Sequence, residues 1–302
     1  MICQLINEQR LAAAANLRMR LTHTVGLVIC EITNPFYAEL AAGIDDALDQ
    51  AGWVAFVANT AESLDRQDRF LQRMREQNVD GVVLCPAEGS TLALLRRLEQ
   101  WRLPCVEALR FVPGSGGDYA GADYQLGMEH ATEHLIRLGH RRIAFIAGTV
   151  AHSATESRRA GFIAAMRRHQ LATDLILKLP ATRQGGAEAA GALLDRVCPA
   201  TAAVCYNDIA ALGLMVGLRR RGIVPGQDFA VVGMDDVAEA GISYPALTTV
   251  ATFPRLVGEQ AANLLLRRIA SPLDPPERSV IATRLMVRQS CGTGATAAED
   301  AA

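Results

Sequence analysis

Asn34, Phe36, Tyr37, Asp123, Arg158, Asn207 and Asp235 stand where short apolar runs of the chain give way to polar segments. A guanidinium, two carboxylates and amide groups supply donors and acceptors together. The two aromatic rings supply a flat face, so the set suits a hydroxyl-rich or heteroaromatic small molecule. Each polar residue also has a local role open to it. Asn34 and Asp208 can cap helices, Asp235 can hold its own turn, and Arg158 can pair with Glu156.

Three further constellations invite chemistry. His130, Glu133 and His134 have HxxEH order, which sets two imidazoles one helical turn apart with a glutamate between them, as a zinc-bound hydrolytic site requires. Two ligands alone do not make such a site, and a solvated or interface helix face accounts for the spacing. Gly114 to Gly117 (GSGG) is followed by a strand-like run instead of a helix N-terminus, which makes it a surface turn and not a phosphate cradle. Arg219 to Arg221 ends a helical segment before Gly222, where cations complement the helix dipole. No GxSxG, GxxxxGK[ST] or HExxH motif occurs, so no catalytic residue, metal or cofactor is expected.

The elements that must hold these groups alternate along the chain. Thr24 to Cys30 (TVGLVIC) is a continuous apolar run, too short for a core helix and suited to a strand buried on both faces. Leu40, Ile44 and Leu48 then recur one turn apart across 38–51. The same unit repeats as strands at 53–59, 81–84 and 105–109 with helices at 66–77 and 91–101. After the loop-like stretch 113–118 come a strand at 119–123 and a helix through Leu138. Strands at 142–147, 175–179, 202–205 and 229–233 then alternate with helices at 158–169, 187–196 and 208–221. The pattern predicts an α/β protein of two doubly wound parallel-sheet lobes around a ligand cleft, with loops at the carboxyl ends of the strands meeting the ligand.

The chain has 302 residues, 50% hydrophobic and 21% charged, enough for a large core. Its net charge of -2 is unlike the basic excess of an autonomous nucleic-acid binder. Seven cysteines form no CxxC pair, which points to reduced thiols in the cytoplasm. The first ten residues lack the apolar stretch that export or membrane spanning needs. Residues 7 to 21, Ala-rich with three arginines, suggest an exposed helix, and 292–302 a disordered tail.

An ordered set of motifs resembles the lactose repressor family of transcription regulators (LacI/GalR), from about Arg18 to Ser290. The motifs are TVGLV from Thr24, NPFYAEL from Asn34, VDGVV from Val79, HLIRLGHRRIAFI from His134, RRAGF from Arg158, NDIAALG from Asn207, VGMDD from Val232 and PALTTV from Pro245. The resemblance implies a periplasmic-binding-protein-like fold of type I, with crossovers near Leu138, Ala251 and Thr283. The lobes would then be 23–138 plus 252–283 and 139–251 plus 284–291. It also implies a cytoplasmic homodimer whose cleft takes a sugar, sugar phosphate or purine. Arg158 and Asp235 would be the main polar contacts, Asn207 and Asp123 further ones, and Phe36 and Tyr37 an aromatic wall. His152 and Ala154 fall at positions that vary with ligand. Two acids against one arginine favour a neutral polyol over a strongly anionic compound.

In that family a helix-turn-helix headpiece and a hinge helix precede the sensor. Here 14–18 aligns with the hinge, placing Leu17 at the minor-groove wedge beside Arg18, within a hinge remnant and linker at 1–22. Residues 1–13 are too few for a headpiece, so operator DNA becomes a partner only where the full protein supplies one. A stand-alone sugar-binding protein of the same fold is the alternative, disfavoured by the missing export signal. The purified chain alone is expected to bind operator-like duplex weakly or not at all. A gel-shift titration showing a salt-sensitive, sequence-selective complex at nanomolar protein would contradict this.

Overall fold

The computed structural model describes residues 21–292. The hinge positions Leu17 and Arg18, nearly all of the 1–22 segment, and the expected tail beyond its first residue lie outside the described residues.

The first sheet comprises β1 (Thr24–Ile29), β2 (Val54–Asn59), β3 (Gly81–Leu84), β4 (Cys105–Ala108), β5 (Asp118–Ala122) and β11 (Arg278–Ile281), ordered β11-β5-β4-β3-β1-β2 and parallel throughout. It is covered by α1 (Pro35–Gln50), α2 (Leu64–Glu76), α3 (Leu92–Gln100) and α9 (Pro254–Ala270). The second sheet comprises β6 (Ile143–Ala147), β7 (Ile176–Lys178), β8 (Ala202–Cys205), β9 (Ala230–Asp235), β10 (Thr248–Ala251) and β12 (Arg284–Met286), ordered β12-β10-β9-β8-β6-β7. It packs with α4 (Tyr124–Arg137), α5 (Ser153–Arg168), α6 (Arg183–Leu194), α7 (Asp208–Arg220) and the short α8 (Ala238–Ile242). The edge strand β12 runs antiparallel to β10, a departure from the all-parallel expectation. The chain enters it through a short crossover from β11, and an antiparallel edge needs no helix to return it.

Strands form where apolar runs can be buried on both faces, and every residue of β3, β6, β8 and β9 is buried. Helices begin where a side chain satisfies an orphan backbone N–H. Asn34 Oδ1 accepts from the Phe36 N–H at 3.0 Å, Asp123 Oδ1 from Leu126 at 3.0 Å and Asn207 Oδ1 from Ala210 at 2.9 Å. Three of the polar residues singled out above are therefore helix caps. That role also fixes them at the carboxyl ends of the preceding strands.

Two helices start earlier than their periodicity suggests. α5 begins at Ser153 and not at Arg158, because the His152 side chain caps it by accepting from the Thr155 N–H at 3.3 Å. α6 begins at Arg183 and not at Ala187, capped by Thr182, and so carries Gly185 and Gly186 inside a helix. A methyl group at Gly186 would sit 2.0 Å from the Ala210 carbonyl oxygen, so close packing of α6 on α7 overrides glycine's poor helix propensity.

The first crossover lies at Asp123, not near Leu138. Tyr124, Met128, Ala131 and Leu135 of α4 share one core cluster with Phe145, Phe162, Val204 and Val232 of the second lobe. The chain therefore leaves the first sheet at Ala122, and the turn after Leu138 only joins a helix to its own strand. The Asp123 N–H donates to the Ile281 carbonyl at 2.9 Å, and its carbonyl accepts from Thr283 Oγ1 at 3.4 Å, so the first and third crossovers touch. The second lies between β10 and α9. Among the described residues no helix is long and apolar enough to cross a membrane.

A buried carboxyl ties α7 to the second sheet. Asp208, fully buried, accepts from Thr249 Oγ1 at 2.5 Å and from the Val237 N–H at 2.9 Å. Burial pushes its pKa up to about 7 in spite of those bonds, and the Asp236 charge adds to the rise. An unfolded-state aspartate titrates near about 3.9. Between these values the folded chain holds a proton that the unfolded chain has released. The stability this group contributes is complete below about pH 4 and is lost as pH rises towards about 7, at up to about 1.4 kcal/mol per pH unit. Urea unfolding midpoints of Asp208→Asn are expected to fall less steeply than wild type between pH 5 and 7.5. Parallel profiles would show that the folded carboxyl titrates normally.

Candidate functional site

Both sheets have the strand order 2-1-3-4-5 of doubly wound folds, with switch points between β1 and β3 and between β6 and β8. Ligands of such sheets bind outside the carboxyl ends of the strands at the switch point. The two switch points face one cleft of about 50 Å³, lined by Asn34, Phe36, Tyr37, Cys85, Leu109, Arg110, Tyr124, His152, Ala154, Arg158, Tyr206, Asn207 and Asp235.

On the wall built by the second lobe, Arg158 projects from the second turn of α5 and is 4% exposed. Its guanidinium lies over the Tyr124 ring at 3.9 Å and over the Tyr206 ring at 4.4 Å. Nη1 donates to the Ala154 carbonyl at 3.1 Å, and Nε points to Met234 Sδ at 3.1 Å. This placement needs α5 to lie hard against α4, and a methyl at Gly161 would fall 2.2 Å from the Gln125 carbonyl oxygen.

Asp235, the last residue of β9, faces Arg158 with Oδ1 3.9 Å from Nη2, too long for a hydrogen bond. That oxygen is buried and has no hydrogen-bond partner among the described residues. Burial, outweighing the Arg158 charge, holds this carboxyl well above the usual carboxylate range. The backbone there is strained, with φ of 129° at Asp235 and 60° at Asp236, conformations that L residues rarely adopt and that concentrate at functional sites. Beside them, burial together with Arg110 and Arg158 lowers His152 to about 2, so its ring is neutral. Since Nδ1 accepts from the Thr155 N–H, Nε2 carries the proton and donates to Tyr206 Oη at 3.2 Å.

On the opposite wall, Phe36 and Tyr37 meet edge to face at 5.5 Å, and Tyr37 Oη lies 4.0 Å from Cys85 Sγ. Arg110, 3% exposed, donates from Nη2 to Glu62 at 2.7 Å and from Nε to Cys85 Sγ at 3.3 Å. The Cys85 thiol is drawn down to about 7 by a hydrogen bond from Cys30 and by Arg110, against its burial, while the Cys30 thiol is pushed up. Two hydrogen bonds span the cleft. The Phe111 N–H donates to Ser153 Oγ at 2.9 Å, and the Ala151 N–H donates to Glu88 Oε1 at 2.8 Å.

Five of the six ligand positions read from the sequence thus share one cleft: Phe36, Tyr37, Arg158, Asn207 and Asp235. Asp123 does not line it: it caps α4 at the first crossover, where its backbone bonds to Ile281 and Thr283. His152 and Ala154 do line it, as do Cys85, Arg110, Tyr124 and Tyr206, which the sequence reading passed over. Cys85, Arg110 and Tyr206 directly follow buried strand runs, the same position that singled out Asp235. The two acids and one arginine expected from the sequence become one acid and two arginines.

The other constellations are spent locally. His134 is buried with Nε2 3.2 Å from Cys291 Sγ, His130 is exposed, and Glu133 pairs with Arg168. No group of three possible metal ligands occurs among the described residues. Ser115 of the glycine-rich loop bonds to Glu107, Arg221 pairs with Asp195 at 2.6 Å, and Arg219 donates to the Tyr244 carbonyl at 3.0 Å. A larger groove of about 760 Å³ lies between α3 and the segment 272–276. Its buried acids are already paired, Asp118 with Arg267 and Arg268, and Glu107 with Ser115 and the Val112 N–H. Neither of these buried acids is left with a partnerless buried oxygen, as Asp235 is, among the described residues.

Comparison with known proteins fits this geometry. Residues 132–291 match the family described as periplasmic binding protein-like domain. The ribose operon repressor of Escherichia coli strain K12 is 32% identical over 290 residues, covering 94% of this chain and 87% of that protein. A transcriptional regulator CelR-cellobiose complex is 33% identical with a TM-score of 0.82, over 90% of this chain and 85% of that one. A LacI family transcriptional regulator from Enterococcus faecium with bound ribose is 29% identical with a TM-score of 0.81, over 89% of this chain and 98% of that one. These relatives are transcription regulators and not enzymes. With its cleft, its two lobes and this similarity across nearly its whole length, the chain belongs to the LacI family of transcriptional regulators and comprises the family's effector-binding region.

Proposed function

We propose that the cleft binds a small hydroxylated effector through Arg158 and Asp235, and that this binding sets the operator affinity of a cytoplasmic homodimer. The observation that carries the proposal is the Asp235 oxygen, buried without a hydrogen-bond partner among the described residues and set 3.9 Å from a buried guanidinium. A carboxyl in that position is costly until a ligand hydroxyl satisfies it. The cellobiose and ribose complexes of two relatives favour a sugar or sugar-like compound. Asn207, fixed as the α7 cap, and the aromatic pair Phe36 and Tyr37 border the same space.

At about 50 Å³ the cleft has room for only one or two waters, far below the roughly 300 Å³ where pockets for small-molecule ligands begin. The effector therefore enters by parting the lobes about the three crossovers, breaking the bonds from Phe111 and Ala151. An effector that favours one lobe arrangement by ~1 to 3 kcal/mol changes operator affinity about 5- to 150-fold. Operator contact itself falls to a helix-turn-helix headpiece only where the full protein carries one.

Edge strand β2 exposes Val54, Phe56 and Val57, and beyond α7 the second lobe exposes Ile242 and Tyr244, each more than half exposed. Apolar edges of this kind invite a partner, and a second copy of this chain fits a two-lobe regulator. Sedimentation at micromolar concentration is expected to give twice the chain mass for wild type and the single mass for Phe56→Asp combined with Tyr244→Asp. A monomeric wild type would contradict the dimer.

A thermal-shift screen of sugars, sugar phosphates and purines tests the sensor. An effector at 100 times its Kd adds about 2.7 kcal/mol. Asp235→Ala is expected to melt no lower than wild type without ligand, since a buried unpaired carboxyl is removed. It should nonetheless bind about 2- to 10-fold more weakly, the value of a hydrogen bond between neutral groups. Arg158→Ala is expected to abolish the shift. A shift retained by both variants would place the ligand elsewhere.

A further inference from the structure

We propose that the effector is a sugar acid, whose carboxylate is received by Arg110 while its hydroxyls meet Arg158 and Asp235. This inference rests on the cleft being the effector site and adds the chemical class that fills it.

Arg110 is 3% exposed, and its Nη1 has no hydrogen-bond partner among the described residues. Its Nε is directed to the Cys85 sulfur, which takes one of the guanidinium's five N–H donors. Its one strong acceptor is Glu62, which sits at the rim with a side chain 30% exposed and also accepts from the Glu88 N–H at 3.0 Å. A buried cation is thus held by half a partner. A buried guanidinium donor left unsatisfied is costly, and a planar carboxylate accepting from Nη1 and a second guanidinium N–H removes that cost with matched geometry.

The charge balance selects a carboxylate over a phosphate. Arg110 and Arg158 bring two buried positive charges to the cleft, and Glu62 offsets one of them. Asp235 lies in a setting that favours its neutral form, and His152 is neutral. Cys85, drawn down to about 7 beside Arg110, supplies part of a negative charge, so at most about one positive charge is left without a counter-ion. A single carboxylate balances it, whereas a phosphate monoester near -2 overshoots in a medium where each uncompensated charge is expensive. A neutral sugar leaves Arg110 Nη1 as it is. The neutral polyol expected from the sequence counted Asp123 in the cleft and Arg110 outside it, and both placements are reversed.

Isothermal titration of the purified chain with C4 to C6 aldonates and uronates, each beside its neutral sugar and its sugar phosphate, tests the assignment. At least one acid is expected to bind 10-fold or more tightly than its neutral counterpart and its phosphate. Arg110→Ala should reduce that acid to the affinity of the neutral sugar, and Arg110→Lys should retain part of the preference. Tighter binding by a neutral sugar or by a phosphate overturns the carboxylate and leaves the cleft as the effector site. So does unchanged acid binding by Arg110→Ala in a protein that melts like wild type. Absence of binding by every compound overturns both this inference and the sensor on which it rests.

Discussion

A guanidinium buried between two tyrosine rings is the constraint around which the second lobe is arranged. Arg158 cannot lose its proton, so the fold must stabilise a charge away from water, and it does so with π-faces, a carbonyl oxygen and a sulfur instead of a close carboxylate. Each of these partners depends on a different element. Tyr124 requires α4 to belong to the second lobe, Tyr206 requires β8 to end at the switch point, and the Ala154 carbonyl requires α5 to begin five residues before Arg158. The close approach of α4 and α5 at Gly161 holds the assembly together. The carboxyl that would neutralise Arg158 is kept 3.9 Å away on a strained turn, leaving a gap that the proposed effector's hydroxyl would close.

The two walls of the cleft are built by the same strand order but present different chemistry. The second lobe offers a cation, an unpaired carboxyl and a neutral imidazole. The first offers an aromatic pair, a thiol and a second cation. Because the cleft is narrow and two hydrogen bonds cross it, its unsatisfied groups act as a bias and not merely as a surface. Each favours an opened arrangement in which solvent or an effector reaches it, while the crossing bonds favour closure. A ligand that satisfies both walls changes that balance, which is what a two-state regulator requires.

Much of this was legible in the sequence, for physical reasons. Runs such as TVGLVI and AAVC are buried on both faces, and their composition says so directly. Residues at the carboxyl ends of such runs line the cleft, which identified Asn207 and Asp235 and serves equally for Cys85, Arg110 and Tyr206, whereas Arg158 reaches it from the second turn of α5. The start of α5 was hidden because its cap is a histidine, and the start of α6 because it carries two glycines, Gly186 closely approached by α7 and Gly185 by the Pro180 carbonyl. The crossover at Asp123 was hidden for a deeper reason. The apolar face of α4 states that the helix is buried but not against which sheet, and only the packing of Tyr124, Met128 and Leu135 decides.

The most direct measurement is a crystal structure of the chain with the effector that the binding assays identify. The account predicts ligand oxygens within hydrogen-bond distance of Arg158 Nη2 and Asp235 Oδ1, and a cleft enlarged well beyond 50 Å³ by rotation of two unchanged sheets about the crossovers. A ligand seated in the groove beside α3, or one bound while the cleft remains shut, would contradict it.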